Sequence, residues 1–271
     1  MSSPSPPIPT SAPLFDFSKT PIASDYTHSW VKIIDNLFTP DECAALIALA
    51  TSDAEWKQAG VSYALGKERV VTDYRNSHRI LRFDDEAAKK IYERLKLHVK
   101  EIKRVGPGHE WESMAGPRAR GYIWDMVGVN ERLSFLRYEP GHFFKPHCDG
   151  LPQLPDGRMA LATLQIYLGE PDVEGGATRI LGSNGKYVDV EPKLGRVLLF
   201  QHRNVFHSGE GVTKGVKYTL RSDLMYTVKP AEMEPGEEYG SDYFSEEEGS
   251  GEEKAYLSDT IHVDPDADVE A

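Results

Sequence analysis

The residues most able to do chemistry are a His-x-Asp pair, His147 and Asp149, and a histidine 60 residues further on, His207. Two imidazoles and one carboxylate can bind a non-haem Fe(II) ion and leave three of its positions open. Residues i and i+2 of an extended strand point to the same face, so His147 and Asp149 can hold one ion together. The pattern predicts a metal site whose third ligand comes from a second strand that folds back against the first.

Two cations follow on one alternating stretch, Lys217 and Arg221, ten and fourteen residues after His207. On a strand they face the same way. A cation there can pair with one carboxylate of a dicarboxylate whose other end chelates the metal. A buried cation needs an anion beside it, so the cation that does not anchor a ligand is expected to pair with an acid such as Asp149 or Asp223.

A further pair of polar residues, Thr163 and Gln165, alternates with the apolar Leu164 and Ile166. This alternation predicts a strand that directs polar atoms into the interior of a barrel, where they would line a pocket. The alternative is that Thr163 and Gln165 form the solvated face of the strand and Leu164 and Ile166 its core face.

Three residues are candidates for contact with a substrate. Arg75 and Asn76 lie on a predicted loop before the core, and such loops often hold substrates; the alternative is a salt bridge of Arg75 with Asp73 or Glu68. Arg179 follows a predicted tight turn at Gly175 and Gly176, and it lies either at the mouth of a substrate pocket or at an exposed or structural position. His142 and His202 are predicted not to be ligands of the metal.

Several ordered motifs of the sequence resemble those of a known family. The elements are Tyr138-x-x-Gly141-x-x-Phe144-x-x-His147-x-Asp149, then Gly175-Gly176-Ala177-Thr178, then His207 with Lys217 ten residues later. Together they are similar to the Fe(II)- and 2-oxoglutarate-dependent dioxygenases of the prolyl 4-hydroxylase type, over roughly residues 130–227.

The resemblance implies a double-stranded β-helix, or jelly-roll, fold. It also implies His147, Asp149 and His207 as ligands of Fe(II), Lys217 rather than Arg221 on the distal carboxylate of 2-oxoglutarate, and Tyr138 as a co-substrate contact. The implied cofactors are Fe(II), 2-oxoglutarate and O₂, with ascorbate as a further candidate.

The implied reaction is hydroxylation of a C–H bond, with release of succinate and CO₂. Related halogenases leave the position of Asp149 open for a halide, so the carboxylate favours hydroxylation. A protein side chain such as proline is the expected substrate. The alternatives are a small-molecule oxygenase of the same chemistry and a non-catalytic jelly-roll binding module, because fold and cofactor do not determine substrate.

The elements that must position these residues form an α+β protein with supporting N-terminal helices. Thr39-Pro40-Asp41-Glu42 predicts the start of a helix that runs to about Ser52, and apolar periodicity predicts a second helix over residues 84–103. Irregular strands are expected over residues 57–83. A strand is expected at Trp30–Leu37 and further strands at Leu133–Tyr138, Ala160–Leu168, Ala177–Leu181, Tyr187–Val190, Arg196–Gln201 and Val216–Tyr226.

Composition divides the 271 residues into three parts. Residues 1–26, rich in Pro and Ser, are expected to form a flexible arm, and residues 27–230 the oxygenase domain. Residues 231–271 hold 15 acidic residues and one Lys, which accounts for the net charge of −12. This segment is expected to be a largely disordered tail that is a candidate for binding a partner. Its charge would repel nucleic acid, so no such partner is expected.

The compartment follows from what the sequence contains and lacks. The only cysteines are Cys43 and Cys148, which makes a structural disulfide unexpected and favours a reducing compartment. No secretory signal is evident at the N-terminus, and no run approaches the roughly 18 apolar residues of a membrane span. A cytoplasmic or nuclear protein without a membrane partner is expected.

Overall fold

The computed structural model describes residues 11–64, 67–119, 121–169 and 172–231. These residues form helices α1 (Pro40–Thr51) and α2 (Asp85–Leu95), short 3₁₀ turns, and strands that pair antiparallel. The strands are β1 Val31–Ile34, β2 Lys57–Gln58, β3 Val61–Ala64, β4 Lys67–Arg69, β5 Arg75–Asn76, β6 His78–Phe83, β7 Arg104–Val105, β8 Tyr122–Val129, β9 Arg132–Tyr138, β10 Phe143–His147, β11 Met159–Tyr167, β12 Glu174–Gly175, β13 Thr178–Leu181, β14 Tyr187–Val190, β15 Val197–Gln201, β16 His207–Gly209, β17 Val212–Lys214 and β18 Lys217–Pro230.

Two sheets form the body of the protein. The larger follows the order β1-β15-β11-β18-β9-β6-β2, with β8 also paired to β18 and β7 paired to β8. The smaller follows β14-β13-β16-β10-β5. Side chains from both sheets line one cavity between them. The architecture is the jelly-roll core with N-terminal helices that the sequence predicted.

The helices cover the other face of the larger sheet. Buried residues of α2, among them Ile91 and Leu95, belong to one core cluster with Trp124 of β8 and with Leu164 and Leu220 of the central strands. This packing gives the larger sheet an apolar face toward the helices and leaves its opposite face free to present polar side chains to the cavity.

Helix α1 begins where the sequence predicted. The Thr39 hydroxyl accepts a hydrogen bond from the Glu42 backbone N–H, and the Glu42 carboxylate accepts one from the Thr39 backbone N–H. This reciprocal pair satisfies two of the backbone donors that a helix start leaves open.

Helix α2 is shorter than predicted, because it ends at Leu95 instead of continuing to residue 103. The chain turns there so that His98 and Val99 can be buried. His98 then receives a hydrogen bond from the Ala12 backbone N–H at Nδ1 (3.1 Å) and one from Lys32 Nζ at its carbonyl (2.7 Å). These long-range bonds hold the chain away from helical geometry, and residue periodicity cannot reveal them.

The predicted strands of the core are present, and all but one of their ends lie within a residue of the prediction. The exception is the last strand, which continues to Pro230. Strand β1 is shorter than the predicted Trp30–Leu37 segment. Strands β7, β8, β10, β12, β16 and β17 were not predicted, because they are short or are interrupted by glycine, proline and polar residues.

Part of the segment expected to be an arm is packed. Phe17, Ile22 and Tyr26 are buried in one cluster with Ile180 of β13 and Phe200 of β15. The Tyr26 hydroxyl donates to the Leu181 carbonyl at 2.5 Å. The described residues 11–26 are therefore part of the folded body, whereas residues 1–10 and the predicted acidic tail beyond residue 231 lie outside the described residues. None of the described helices combines the length and apolar content needed to cross a membrane.

Candidate metal centre and co-substrate pocket

The two histidines of the predicted metal site lie opposite each other on neighbouring strands. His147 is the last residue of β10 and His207 the first of β16, and the two are antiparallel register partners. Asp149 lies beyond the end of β10. The prediction that His147 and Asp149 point the same way because they alternate on one strand is therefore wrong, although both side chains do reach the same site. The register shifts between Phe144 and His147, and the chain then leaves the strand.

The three side chains converge on one point. His147 Nε2 lies 3.8 Å from Asp149 Oδ1, and His207 Nε2 lies 4.0 Å from Asp149 Oδ2. The centroids of the two imidazole rings are 4.3 Å apart. All three side chains are buried, so their nitrogen and oxygen atoms face one small, largely dehydrated space.

Backbone carbonyls hold both imidazoles in place from behind. His147 Nδ1 lies 2.8 Å from the Lys145 carbonyl, and His207 Nδ1 lies 3.1 Å from the Val205 carbonyl. A carbonyl can only accept, so each Nδ1 carries the proton and each Nε2 presents a lone pair to the shared space. This is the arrangement in which histidine binds metals.

The charges of the cluster suit a cation. Burial, followed by the neighbouring His207, lowers the pKa of His147 to about 3, and burial also lowers the pKa of His207. Burial alone would raise the pKa of Asp149, but the charge of Arg221 and the two histidines hold that pKa well below its usual value. At neutral pH the cluster consists of two neutral imidazoles and one carboxylate.

Asp149 is oriented by two residues of the larger sheet. The Thr163 hydroxyl donates to Asp149 Oδ2, and Arg221 Nη2 lies 3.2 Å from Asp149 Oδ1. The same guanidinium lies 3.3 Å from Asp223 Oδ1, and His202 Nε2 lies 3.4 Å from that oxygen. Arg221 is thus the buried partner of two acids, one of the roles that the sequence left open for it, and His202 faces Asp223 instead of the cluster.

Lys217 occupies the other end of the cavity in a different environment. Its Nζ donates to the Gly176 carbonyl (2.6 Å) and lies 5.0 Å and 5.8 Å from the ring centroids of Tyr138 and Tyr167. Among the described residues, no carboxylate lies within ion-pairing distance of this ammonium group. Burial lowers the pKa of Lys217 to about 8, against smaller opposing effects of Glu191 and Glu210.

Hydrogen-bonded polar side chains lie between Lys217 and the metal donors. Gln165 Nε2 and the Tyr167 hydroxyl each donate to the Thr178 hydroxyl oxygen at 2.8 Å. Leu164 and Ile166 point to the helical core, so Thr163 and Gln165 take the inward orientation and not the solvated one. The cavity is lined by Arg75, Ser134, Leu136, Tyr138, Phe144, His147, Cys148, Asp149, Thr163, Gln165, Thr178, Phe200, His207, Ser208, Gly209, Lys217, Thr219 and Arg221.

The predicted substrate residues separate into two groups. Arg75 lines the cavity, with its guanidinium 4.4 Å from the Phe144 ring centroid and its Nη1 3.1 Å from the Gly60 carbonyl. Asn76 and Arg179 are absent from the lining. Arg179 instead forms ion pairs with Asp189 (2.8 Å) and Glu210 (3.0 Å), which is the structural alternative that its sequence position allowed.

Sequence reasoning missed several lining residues. Phe144 stacks on His147 with ring centroids 3.8 Å apart, and the Thr178 hydroxyl oxygen accepts hydrogen bonds from Gln165 and Tyr167. Both lie within the motifs that carry the family resemblance, where they were treated as spacing or turn positions. Tyr167 is outside the lining but donates to the Thr178 hydroxyl oxygen, and its inward orientation could have been predicted because it continues the alternation of Thr163 and Gln165.

Comparison with known proteins agrees with this geometry. Residues 133–222 match the sequence profile of the 2OG-Fe(II) oxygenase superfamily. The chain contains a 2OG-Fe(II) oxygenase domain. It is an iron(II)- and 2-oxoglutarate-dependent dioxygenase, as the resemblance of its sequence motifs to that family implied.

Solved structures with similar folds include three prolyl hydroxylases. A prolyl-4-hydroxylase from Pseudomonas putida has a TM-score of 0.50 and 18% identity, covering 75% of this chain and 96% of that one. A prolyl hydroxylase from Trichoplax adhaerens, in complex with a peptide fragment of the hypoxia inducible factor oxygen degradation domain, has a TM-score of 0.49 and 17% identity, covering 73% and 83%. A viral collagen prolyl hydroxylase from Paramecium Bursaria Chlorella virus-1 has a TM-score of 0.44 and 18% identity, covering 73% and 96%.

At these identities the Pseudomonas putida structure supports the fold alone. No curated protein matches the chain in sequence.

The residues of the oxygenase domain fit the ion and co-substrate that the family requires. The converging donors are two neutral imidazole nitrogens and a carboxylate, the set suited to a non-haem Fe(II) ion with open positions. At the other end of the same cavity lies the buried Lys217 ammonium, which has no carboxylate within ion-pairing distance among the described residues.

Proposed function

We propose that this dioxygenase hydroxylates a C–H bond of a protein side chain such as proline, with release of succinate and CO₂. The observation that carries the proposal is the pairing of two features in one cavity. One end has three converging metal donors, His147, Asp149 and His207. The other has a buried cation, Lys217, that has no carboxylate partner among the described residues.

His147, Asp149 and His207 are proposed to hold Fe(II). When bound, the ion supplies the site where O₂ is activated as 2-oxoglutarate is decarboxylated: one oxygen atom enters succinate and the other the substrate C–H bond. The chain's own contribution is orientation. The carbonyls of Lys145 and Val205 fix the imidazole tautomers, and Thr163 and Arg221 hold the Asp149 carboxylate.

Lys217 is proposed to anchor the distal carboxylate of 2-oxoglutarate. Arg221, the rival, already lies beside the carboxylates of Asp149 and Asp223, whereas Lys217 has carbonyl and ring contacts. An incoming carboxylate would remove the cost of burying the unpaired charge. Lys217 and the three metal donors line the same cavity, so one dicarboxylate is proposed to contact both.

Four further residues are proposed to shape the co-substrate pocket. Tyr138 is the register partner of Lys217 and lines the cavity beside it. Gln165 and Thr178 supply side-chain dipoles between the two ends, and Thr163 is in contact with Asp149. These groups hold the co-substrate in one orientation and restrict the water that can enter with it.

A polypeptide substrate is favoured by the surface around the metal donors. His147 is buried, but its neighbours Lys145, Pro146 and Cys148 are exposed. A chain segment could therefore approach along this rim and insert one side chain. Arg75, on the cavity wall near Phe144, is proposed to contact the substrate. The alternative is a small-molecule substrate, and the second experiment below distinguishes the two.

Further proposals concern ascorbate, the domain boundaries, the acidic segment and the compartment. Ascorbate is proposed as a reductant that restores the enzyme after uncoupled turnover. The oxygenase domain is proposed to occupy residues 27–230 together with the packed part of the N-terminal segment, and the acidic segment beyond it to bind a partner. A cytoplasmic or nuclear site of action is proposed from the cysteine content.

The first experiment is an anaerobic titration with Fe(II) and 2-oxoglutarate that follows the weak visible metal-to-ligand band. The band is expected in the wild type, lost in His147→Ala and strongly weakened in Lys217→Ala. Abolition in Arg221→Ala with retention in Lys217→Ala would move the anchor to Arg221. Absence of a band in metal-loaded wild type would overturn the co-substrate assignment.

The second experiment concerns the substrate. Proline-containing peptides are incubated with the enzyme, Fe(II), 2-oxoglutarate and O₂, and both succinate and the peptide mass are measured. Gain of one oxygen atom by the peptide, coupled to succinate, is the expected result. Succinate formation that is stimulated only by small molecules, with no peptide oxidised, would reject the protein substrate.

A further inference from the structure

A second group of metal-binding side chain types lies outside the oxygenase cavity. It consists of His78, Glu139 and His142, which each offer one ligand atom, and these atoms all lie within 4.8 Å of one another. None of the three lines the cavity of the first cluster. All three side chains are partly accessible, so an ion could reach them from solvent.

The backbone brings these residues together from two places in the chain. His78 begins β6 and is the register partner of Arg137 on β9. Glu139 directly follows β9, and His142 lies three residues later in the turn that leads into β10. The His142 backbone N–H donates to the Glu139 carbonyl (2.8 Å), which fixes the spacing of the pair.

The turn is anchored to a neighbouring strand. The Gly141 N–H donates to the Val212 carbonyl at 2.8 Å, and the Val212 N–H donates to the His142 carbonyl at 3.1 Å. Gly141 has φ of +85°, a backbone conformation that glycine adopts without strain. The arrangement of Glu139 and His142 is therefore a property of a hydrogen-bonded turn and not of a loose loop.

The two imidazoles have unsatisfied nitrogen atoms. Nδ1 of His78 and Nδ1 of His142 are both buried, and neither has a hydrogen-bond partner in the described part of the chain. The ring centroids are 5.2 Å apart and the ring planes are inclined by 53°. Leaving such atoms unpaired is unfavourable, and two close imidazoles beside a carboxylate are a set that a metal ion would satisfy.

Charge also favours a cation. Burial, followed by the neighbouring His78, lowers the pKa of His142, which favours its neutral, metal-binding form. Glu139 contacts Arg137 through Oε1, so a metal would share this carboxylate with a guanidinium and use the second oxygen. Without a metal, the cluster consists of an ion pair next to two imidazoles with unpaired nitrogens.

We propose that His78, Glu139 and His142 form a second divalent metal site of the zinc class. Two histidines and a glutamate, with a further position open to water, are a common ligand set for Zn²⁺. Donor atoms around a tetrahedral Zn²⁺ lie about 3.4 Å apart, as follows from bond lengths near 2.1 Å. The three donor atoms lie within 4.8 Å of one another, so binding the ion requires them to move closer together.

The bound ion would connect β6 to the turn between β9 and β10. That turn lies between Tyr138, on the wall of the co-substrate pocket, and β10, which carries His147. The site is thus placed to fix the geometry of the oxygenase cavity from outside it. The proposal does not depend on the substrate or on the roles assigned to the first cluster.

The test is a titration of the full chain with Co²⁺. Binding is monitored by calorimetry and by the visible d–d absorption of the ion. Wild type is expected to bind two equivalents. His78→Ala, Glu139→Ala and His142→Ala are each expected to bind one, while His28→Ala, which removes an exposed histidine outside both clusters, keeps two. The variant with both His147→Ala and His207→Ala is expected to retain the second equivalent.

Two results would overturn the proposal. One is a single equivalent in wild type that disappears in His147→Ala. The other is a second equivalent that persists in His142→Ala, because that ion would then be bound elsewhere, for example by the acidic segment beyond residue 231. If the double variant fails to fold, as judged by circular dichroism, the comparison of wild type with the three second-site variants still decides between these outcomes.

Discussion

Each end of the oxygenase cavity contains a buried cation, but only one of the two cations has carboxylate partners. Arg221, near the metal donors, lies between the carboxylates of Asp149 and Asp223. Lys217, four residues earlier on the same strand and the same face, has a carbonyl and two aromatic rings around it. One charge is compensated within the protein, and the other is left for a ligand.

The difference separates stability from binding. At the metal end the compensating anions belong to the chain, so removing the cation should leave two buried carboxylates unpaired and destabilise the fold. Where the anion is to come from a co-substrate, the unliganded protein carries the cost of an unpaired buried charge and recovers it on binding. Substitutions at both ends of the cavity and the pH dependence of ligand binding test this contrast.

Replacement of Arg221 by Met should lower the free energy of unfolding by about 3–5 kcal/mol, because two buried carboxylates lose their cation. Urea denaturation of the metal-free protein measures this. Lys217→Met is the matched control on the same strand, and it should leave stability unchanged or increase it. Equal destabilisation by the two substitutions would contradict the contrast.

Replacement of Lys217 by Met should weaken 2-oxoglutarate binding by about 2–4 kcal/mol, or roughly 30-fold to 1000-fold in Kd, since a buried charge pair is lost. Calorimetric titration of 2-oxoglutarate into anaerobic Fe(II)-loaded protein measures the change. Fe(II) affinity without co-substrate should not change in this variant. A parallel loss of Fe(II) affinity would mean that Lys217 acts on the metal end instead.

Removal of the Thr163 hydroxyl, in Thr163→Val, should weaken Fe(II) binding by about 10–100-fold, because Asp149 loses a donor that orients it. The affinity is measured by competition with a chelator. Thr219→Val removes a hydroxyl that lines the same cavity, and that hydroxyl has no hydrogen-bond partner among the described residues. Fe(II) affinity should be unchanged in this control, and equal losses in both variants would reject the specific role of Thr163.

The pH dependence of 2-oxoglutarate binding should follow the charge of Lys217. Its pKa is lowered to about 8 by burial, so the ammonium is present below pH 8 and is lost as the pH rises through that value. The Kd should be constant below pH 8 and rise about tenfold per unit above it.

Lys217→Arg keeps its charge, so its binding should remain flat over the same range. A similar rise of Kd in both proteins would assign the titration to another group. The unliganded protein should show the opposite trend in stability: the folded-state pKa lies below the ordinary value of 10.5, so Lys217 contributes increasing stability as the pH rises from about 8 to 10.5.

The sequence predicted those parts of the fold that depend on local chemistry. The capping residues Thr39 and Glu42 determined where α1 begins, and the alternation of Thr163 and Gln165 with Leu164 and Ile166 determined which face of β11 meets the helices. These features depend on neighbours a few residues away. The length of α2 depends instead on His98 and its contacts with Ala12 and Lys32, which no local pattern contains.

The site shows the same division. Residue types and spacing drew attention to His147, Asp149, His207, Lys217 and Arg221, and the family resemblance gave the metal and 2-oxoglutarate roles to four of them. The partner of each group, in contrast, depends on how the chain folds. The pairing of Arg221 with Asp149 and Asp223, the exclusion of Arg179 from the cavity and the meeting of His78 with Glu139 and His142 depend on strand register and long-range packing, which bring together residues that are distant in the chain.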